Sequence, residues 1–210
     1  MKEKDNENKF LRPRLILVEG AEEYFLLIEL FKRLGYEDIE VGNYEGNNNL
    51  GNFMNSMVKL TNYKKNVKVI GILRDCENNR QAGFQSIQSA LEKVGLPVPN
   101  EEDSFAPNTN VAVIVRLIPI SVDEGCLEDI FIQSLSEDEA LKPANDYVDK
   151  LIEMKLKLRH KKALVHAYLA SKPEPYKLIG TAAKCNYWDF EHIAFKQLID
   201  FIEAVEKQPI

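Results

Sequence analysis

The 210 residues are enough for one domain, or for a core domain with an appended helical part, and for a real hydrophobic core. With 45% hydrophobic and 29% charged residues the composition is that of a folded globular chain, which excludes disordered and fibrous classes. A net charge of −6 argues against tight autonomous nucleic-acid binding, because that affinity comes mainly from cations displacing phosphate counterions. The first ten residues, MKEKDNENKF, lack the apolar stretch of a secretory signal, and the longest apolar run, residues 111–118, is interrupted by Arg116 and falls well short of the roughly 20 residues of a membrane span. Cys76, Cys126 and Cys185 show no CxxC spacing, which suits a reducing compartment rather than a zinc site or a disulfide framework. A cytoplasmic protein with no membrane attachment is the expectation.

In chain order, residues 1–13 read as a frayed tail. Residues 14–18 form an apolar run ended by Glu19-Gly20, and residues 22–34 then place Phe25, Leu26, Ile28, Leu30, Phe31 and Leu34 at helical spacing, with Gly35 as the stop. Residues 39–41 are a second short strand leading into a Gly- and Asn-rich loop, 42–51, before a helix from about Phe53. Residues 67–73 have buried-strand composition and end at Arg74-Asp75-Cys76-Glu77; a helix over 81–94 follows. Residues 95–108 read as a surface excursion, residues 111–118 as a fourth strand closed by Pro119. From Asp138 the pattern is helical, with one long segment over 145–170 and a last helix over 190–205 for which Asp189 is the expected N-cap and Trp188 a packing residue. Strands alternating with helices imply right-handed crossovers and a mostly parallel four-stranded sheet covered on both faces, so residues 14–135 form an α/β core and residues 136–210 a helical extension packed on it.

In such sheets functional groups collect beyond the carboxyl ends of the strands. Glu19 follows the first strand and Asp75 the third, and Glu77, two residues on, faces the same side as Asp75 if the chain stays extended. Cys76 between them then points into the core. Several carboxylates at one place repel unless a cation neutralises them, and hard oxygen donors suit Mg²⁺ or Mn²⁺, whose chemistry is phosphoryl transfer or phosphodiester hydrolysis. Acids at strand ends and helix starts also serve as helix caps, and that reading stands beside the metal one. Glu124, Glu128 and Asp129 add acids after the fourth strand. The basic run from Lys155 to Lys162, with His166 and Tyr168 beyond it, suits either a solvated helix face or a phosphate-backbone track. No P-loop pattern is present, and His160, His166 and His192 lack metal spacing with one another.

LILVEG before an amphipathic helix and VIGILRDCE at the end of a later strand resemble the Toprim signature, in which a Glu after the first strand and an Asp-x-Asp after the third hold Mg²⁺. Glu19, Asp75 and Glu77 match it, with Glu77 standing where the general pattern has Asp. GCLEDIFIQSL, KKALVHAYLAS and LIGTAAKCNYWDF extend the resemblance to a Toprim-like prokaryotic family of uncharacterised function and to the Toprim nuclease half of overcoming-lysogenization-defect (OLD) proteins. The resemblance implies a Toprim-like Rossmannoid core with a C-terminal helical annex, with Glu19, Asp75, Glu77 and Glu128 as metal ligands, Asp129 as an acid supporting them, and Glu19 and Lys162 in catalysis. It further implies a nuclease acting on DNA or RNA, with a role in phage defence and a separately encoded ABC-type ATPase as partner. A non-catalytic module binding nucleic acid or protein is the alternative.

Overall fold

The computed structural model describes residues 9–106, 110–175 and 178–210. Among these, four strands, β1 (Arg14–Val18), β2 (Ile39–Asn43), β3 (Val69–Asp75) and β4 (Ala112–Ile118), form one all-parallel sheet in the order β2-β1-β3-β4. The register pairs Arg14 with both Ile39 and Val69, and Val69 with Ala112, so the carboxyl ends of β1 and β3 lie side by side at the centre. The connections from β1 lead to one side to reach β2, and then across to β3 on the other. The crevice between β1 and β3 is therefore the place where an open parallel sheet leaves room for a ligand.

Side-chain alternation sorts the strands onto two cores. Ile16, Val18, Val69, Leu73, Ile114 and Ile118 face helices α1 (Ala21–Leu34), α5 (Leu127–Ser134), α7 (His160–Ala170) and α9 (Lys196–Lys207). Leu15, Leu17, Ile70, Ile72, Val113 and Val115 face α2 (Leu50–Met57), α3 (Thr61–Asn66) and α4 (Arg80–Val94). Two further helices, α6 (Leu141–Glu153) and the short α8 (Ile179–Ala182), complete the first layer. Both faces being covered explains the continuous apolar strands. Gly71 on β3 is required by α9: a Cβ there would sit 2.9 Å from Phe201 and Val205.

Several expectations are corrected. Of the frayed tail, residues 1–8 lie outside the described residues, but Phe10 is only 4% exposed and its amide donates to Glu40 Oε1 at 2.7 Å. The long helix over 145–170 is two helices, α6 and α7, because Lys155 takes a left-handed conformation (φ 60°) and turns the chain. Asp189 does not cap the last helix: its Oδ1 accepts from Glu191 N–H in a local turn, and His192 caps the 3₁₀ turn that leads into α9. Trp188 is buried, its Nε1 donating to Ile179 O at 3.1 Å. Residues 107 and 108 of the excursion after α4 lie outside the described residues; the rest doubles back along β4, with Asp103 N–H donating to Val115 O and Ala106 bridging Val113, and so covers an otherwise open sheet edge.

Candidate functional site

Beyond the carboxyl ends of β1 and β3 lies an open cleft of about 1140 Å³. Its lining includes Glu19, Glu23, Asp75, Glu77 and Glu128 together with the start of α7, Arg159 to Lys162. Each acid has its own local cause. Glu19 is delivered by β1 running straight into α1 through Gly20, and Glu23 lies one turn further on, in the acidic first turn of α1. Asp75 ends β3 and accepts the amide of Leu127, the first residue of α5, at 2.8 Å. Glu128 follows on α5 and is 9% exposed.

Glu77 arrives differently from the expectation. The chain does not stay extended past Asp75: Glu77 has φ 52°, and its backbone is pinned to Gly125 by a pair of hydrogen bonds, 2.8 and 2.7 Å. Its carboxylate accepts from Asn47 Nδ2 at 2.5 Å, on the loop after β2. The acids consequently continue two faces of the sheet edge while remaining coupled, since Glu23 and Asp75 both feel Glu19 as well as Glu128. Glu19 continues the Leu17 face of β1, where buried Arg74 stands 3.9 Å from its Oε2, and Glu77 belongs with it. Asp75 continues the Leu73 face of β3 and feels chiefly Glu23 and Glu128. Cys76 is buried in the core, as alternation predicts.

The electrostatics are those of crowded, partly desolvated carboxyls. Burial raises the carboxyl of Glu19; Arg74 opposes this and Glu77 adds to it. Glu23 is pushed by burial to about 7, with Glu19 and Glu128 adding repulsion against its own backbone hydrogen bond. Asp75 is held well above the ordinary carboxylate range by burial, then by Glu23 and Glu128. Among the described residues no group of three or more His, Cys, Asp or Glu side chains is arranged so that it could hold a metal ion as it stands. The donor set nevertheless fits a hard divalent cation: it is all oxygen, it is self-repelling, and Glu19 Oε2 is buried with no hydrogen-bond partner among the described residues.

The remaining expected residues separate. Lys162 lines the cleft and lowers the carboxyl of Glu22, which is raised first by burial and which caps α8 through Ile179 N–H at 2.6 Å. Asp129 does not line the cleft; its Oδ2 accepts from Cys126 N–H at 2.9 Å and pairs with Lys161 Nζ at 2.7 Å, tying α5 to α7. Of the basic run, Lys155 and Lys157 are exposed away from the cleft, whereas Arg159 to Lys162 reach it. Glu23 is the residue that motif reading passes over, since one more acid on the polar face of α1 carries no signal beyond its position four residues after Glu19.

Fold and cleft together define an α/β protein with an acid-lined crevice at the switch point of a parallel sheet. A family model described as "Protein of unknown function (DUF3226)" matches residues 13–207, and the chain belongs to that family. No curated protein matches it. Among solved structures it is similar to the C-terminal region of the OLD protein of Xanthomonas campestris pv. campestris, with 15% identity, a TM-score of 0.37, and coverage of 93% of this chain and 79% of that one. It is likewise similar to the C-terminal region of the Burkholderia pseudomallei OLD protein, with 16% identity, a TM-score of 0.36, and coverage of 91% and 81%. Among the described residues no helix is long and apolar enough to cross a membrane.

Proposed function

We propose that the chain is a Toprim-like, divalent-metal-dependent hydrolase of nucleic-acid phosphodiesters, using Mg²⁺ or Mn²⁺. The observation that carries the reading is the gathering, around one cleft, of Glu19, Glu23, Asp75, Glu77 and Glu128 with the cationic start of α7. A bound ion supplies Lewis-acid activation of a phosphoryl oxygen and of a water. The protein's part is to hold that charge and to seat the substrate. Glu19 and Glu77 from one face and Asp75 and Glu128 from the other are the ligands, and Glu23 completes the negative field. Arg159, Lys162 and the amide-rich start of α7 receive the phosphate, and Lys162 steadies the negative charge that develops there.

The test is cleavage of end-labelled DNA and RNA by the full chain with Mn²⁺, Mg²⁺ or chelator. Asp75→Asn is expected to cost more than about 100-fold and Lys162→Ala about 10- to 100-fold. Mn²⁺ bound at the acids without cleavage of any substrate would favour a second reading, a module active only with a partner such as an ABC-type ATPase. The exposed apolar side chains Tyr147, Ile152, Met154 and Leu156, on α6 and the turn after it, give such a partner a surface.

A further inference from the structure

The loop after β2 holds a residue that hydrogen-bonds one of the acids and sits beside the loop's anchor on another, without lining the cleft. Asn47 donates its side-chain Nδ2 to Glu77 Oε1 at 2.5 Å, its backbone N–H favours the ionised form of the Glu19 carboxyl, and its neighbour Gly46 donates to Glu19 O, so one short stretch of loop joins acids delivered by β1 and by the turn after β3. We propose that Asn47 is a positioning residue that sets the separation and orientation of the Glu19 and Glu77 carboxylates for a divalent cation, an inference that rests on the metal reading above.

The loop is built to keep Asn47 in place. Gly46 N–H donates to Glu19 O and Tyr44 N–H to Val18 O, both at 3.0 Å, so the loop is stitched to the end of β1 itself. Asn43 Oδ1 accepts from Glu45 N–H at 2.8 Å, and Asn49 Nδ2 donates to Glu45 O at 2.5 Å. Left-handed backbone at Glu45 (φ 58°) and Gly46 (φ 109°) turns the chain back towards Glu19, and Leu50 and Met54 root the following helix in the core. Glu77 is left-handed as well, a conformation unfavourable to a non-glycine residue, and here it brings the carboxylate to Asn47. A neutral amide suits the role: it hydrogen-bonds the Glu77 carboxylate, adds no charge of its own, and does not itself line the cleft that Glu19 and Glu77 line.

The experiment is Mn²⁺ titration of the full chain without nucleic acid, by calorimetry and by the spin-resonance signal of free Mn²⁺, for wild type, Asn47→Ala, Asn47→Ser, Glu77→Gln and Asn47→Ala with Glu77→Gln. Both Asn47 variants keep the backbone donor and lose the tether to Glu77. They are expected to bind Mn²⁺ about tenfold more weakly, with metal-free melting within about 3 °C of wild type, and the double variant no more weakly than Glu77→Gln alone. Wild-type affinity in both Asn47 variants, or losses that add in the double variant, would overturn the positioning role while leaving the metal site standing. A wild-type chain that takes up no Mn²⁺ would overturn the metal reading itself, and the inference with it.

Discussion

Glu23 concentrates the cost of gathering acids in one place. Its carboxyl is raised from the ordinary 4.5 to about 7 by burial first and by Glu19 and Glu128 after its own backbone hydrogen bond. A raised acid holds its proton more tightly in the native chain than in the unfolded one. Its contribution to stability is therefore complete below about pH 4.5 and is lost as pH rises through about 7. Replacing it with the neutral isostere, Glu23→Gln, is expected to raise metal-free stability by about 1–3 kcal/mol at pH 8 and to change it little at pH 4. Urea unfolding at the two pH values checks this, and an equal gain at both would refute it. Glu19 and Asp75 stand out in the amino-acid string because each terminates an apolar strand, whereas Glu23 and Asn47 look like any polar residue of a helix face or a loop. Their importance arises from neighbours distant along the chain.

At the scale of elements, the junction of α8 with α1 governs the cleft's acidic wall. Gly180 packs so closely that a Cβ on it would lie 2.5 Å from Glu22 O and Leu26 N, both backbone atoms of α1, and Glu22 in turn caps α8. Gly180→Ala is expected to destabilise the chain by about 1–3 kcal/mol, measured by thermal or urea unfolding, and to weaken Mn²⁺ uptake because α1 must move and carries Glu22 and Glu23 with it. A variant of wild-type stability would show that the contact yields freely. The four strands and the helices after β1 and β3 are readable from apolar runs and their punctuation, whereas the single helix expected from about Phe53 is two, α2 starting at Leu50 and α3 at Thr61. The break between α6 and α7 is not readable either, because it turns on one left-handed lysine, Lys155, in a stretch whose composition favours helix.

For the whole molecule, the net charge of −6 and the confinement of the cleft's cations to one helix start set expectations for binding. Uptake of Mn²⁺ by the native chain alone should stabilise it by about 2.7 kcal/mol at one hundred times the dissociation constant, a rise in melting temperature of about 5–10 °C for a chain of this size. The rise should vanish in Asp75→Asn; if the variant responds like wild type, the ion is held elsewhere.

The amino-acid sequence by itself determined the α/β class, the parallel four-stranded sheet and the placing of Glu19 and Asp75 at strand ends, because apolar periodicity and the residues that end it are local properties of the chain. Only the tertiary structure decided that the acids divide between the two faces of the sheet edge, that Glu77 joins Glu19 through a left-handed turn, that Glu23 shares the cleft, and that Asp129 is taken up by Lys161. Those outcomes depend on strand register, on the close approach of α8 to α1 and on one loop folded back over β1, interactions between segments that no local pattern encodes.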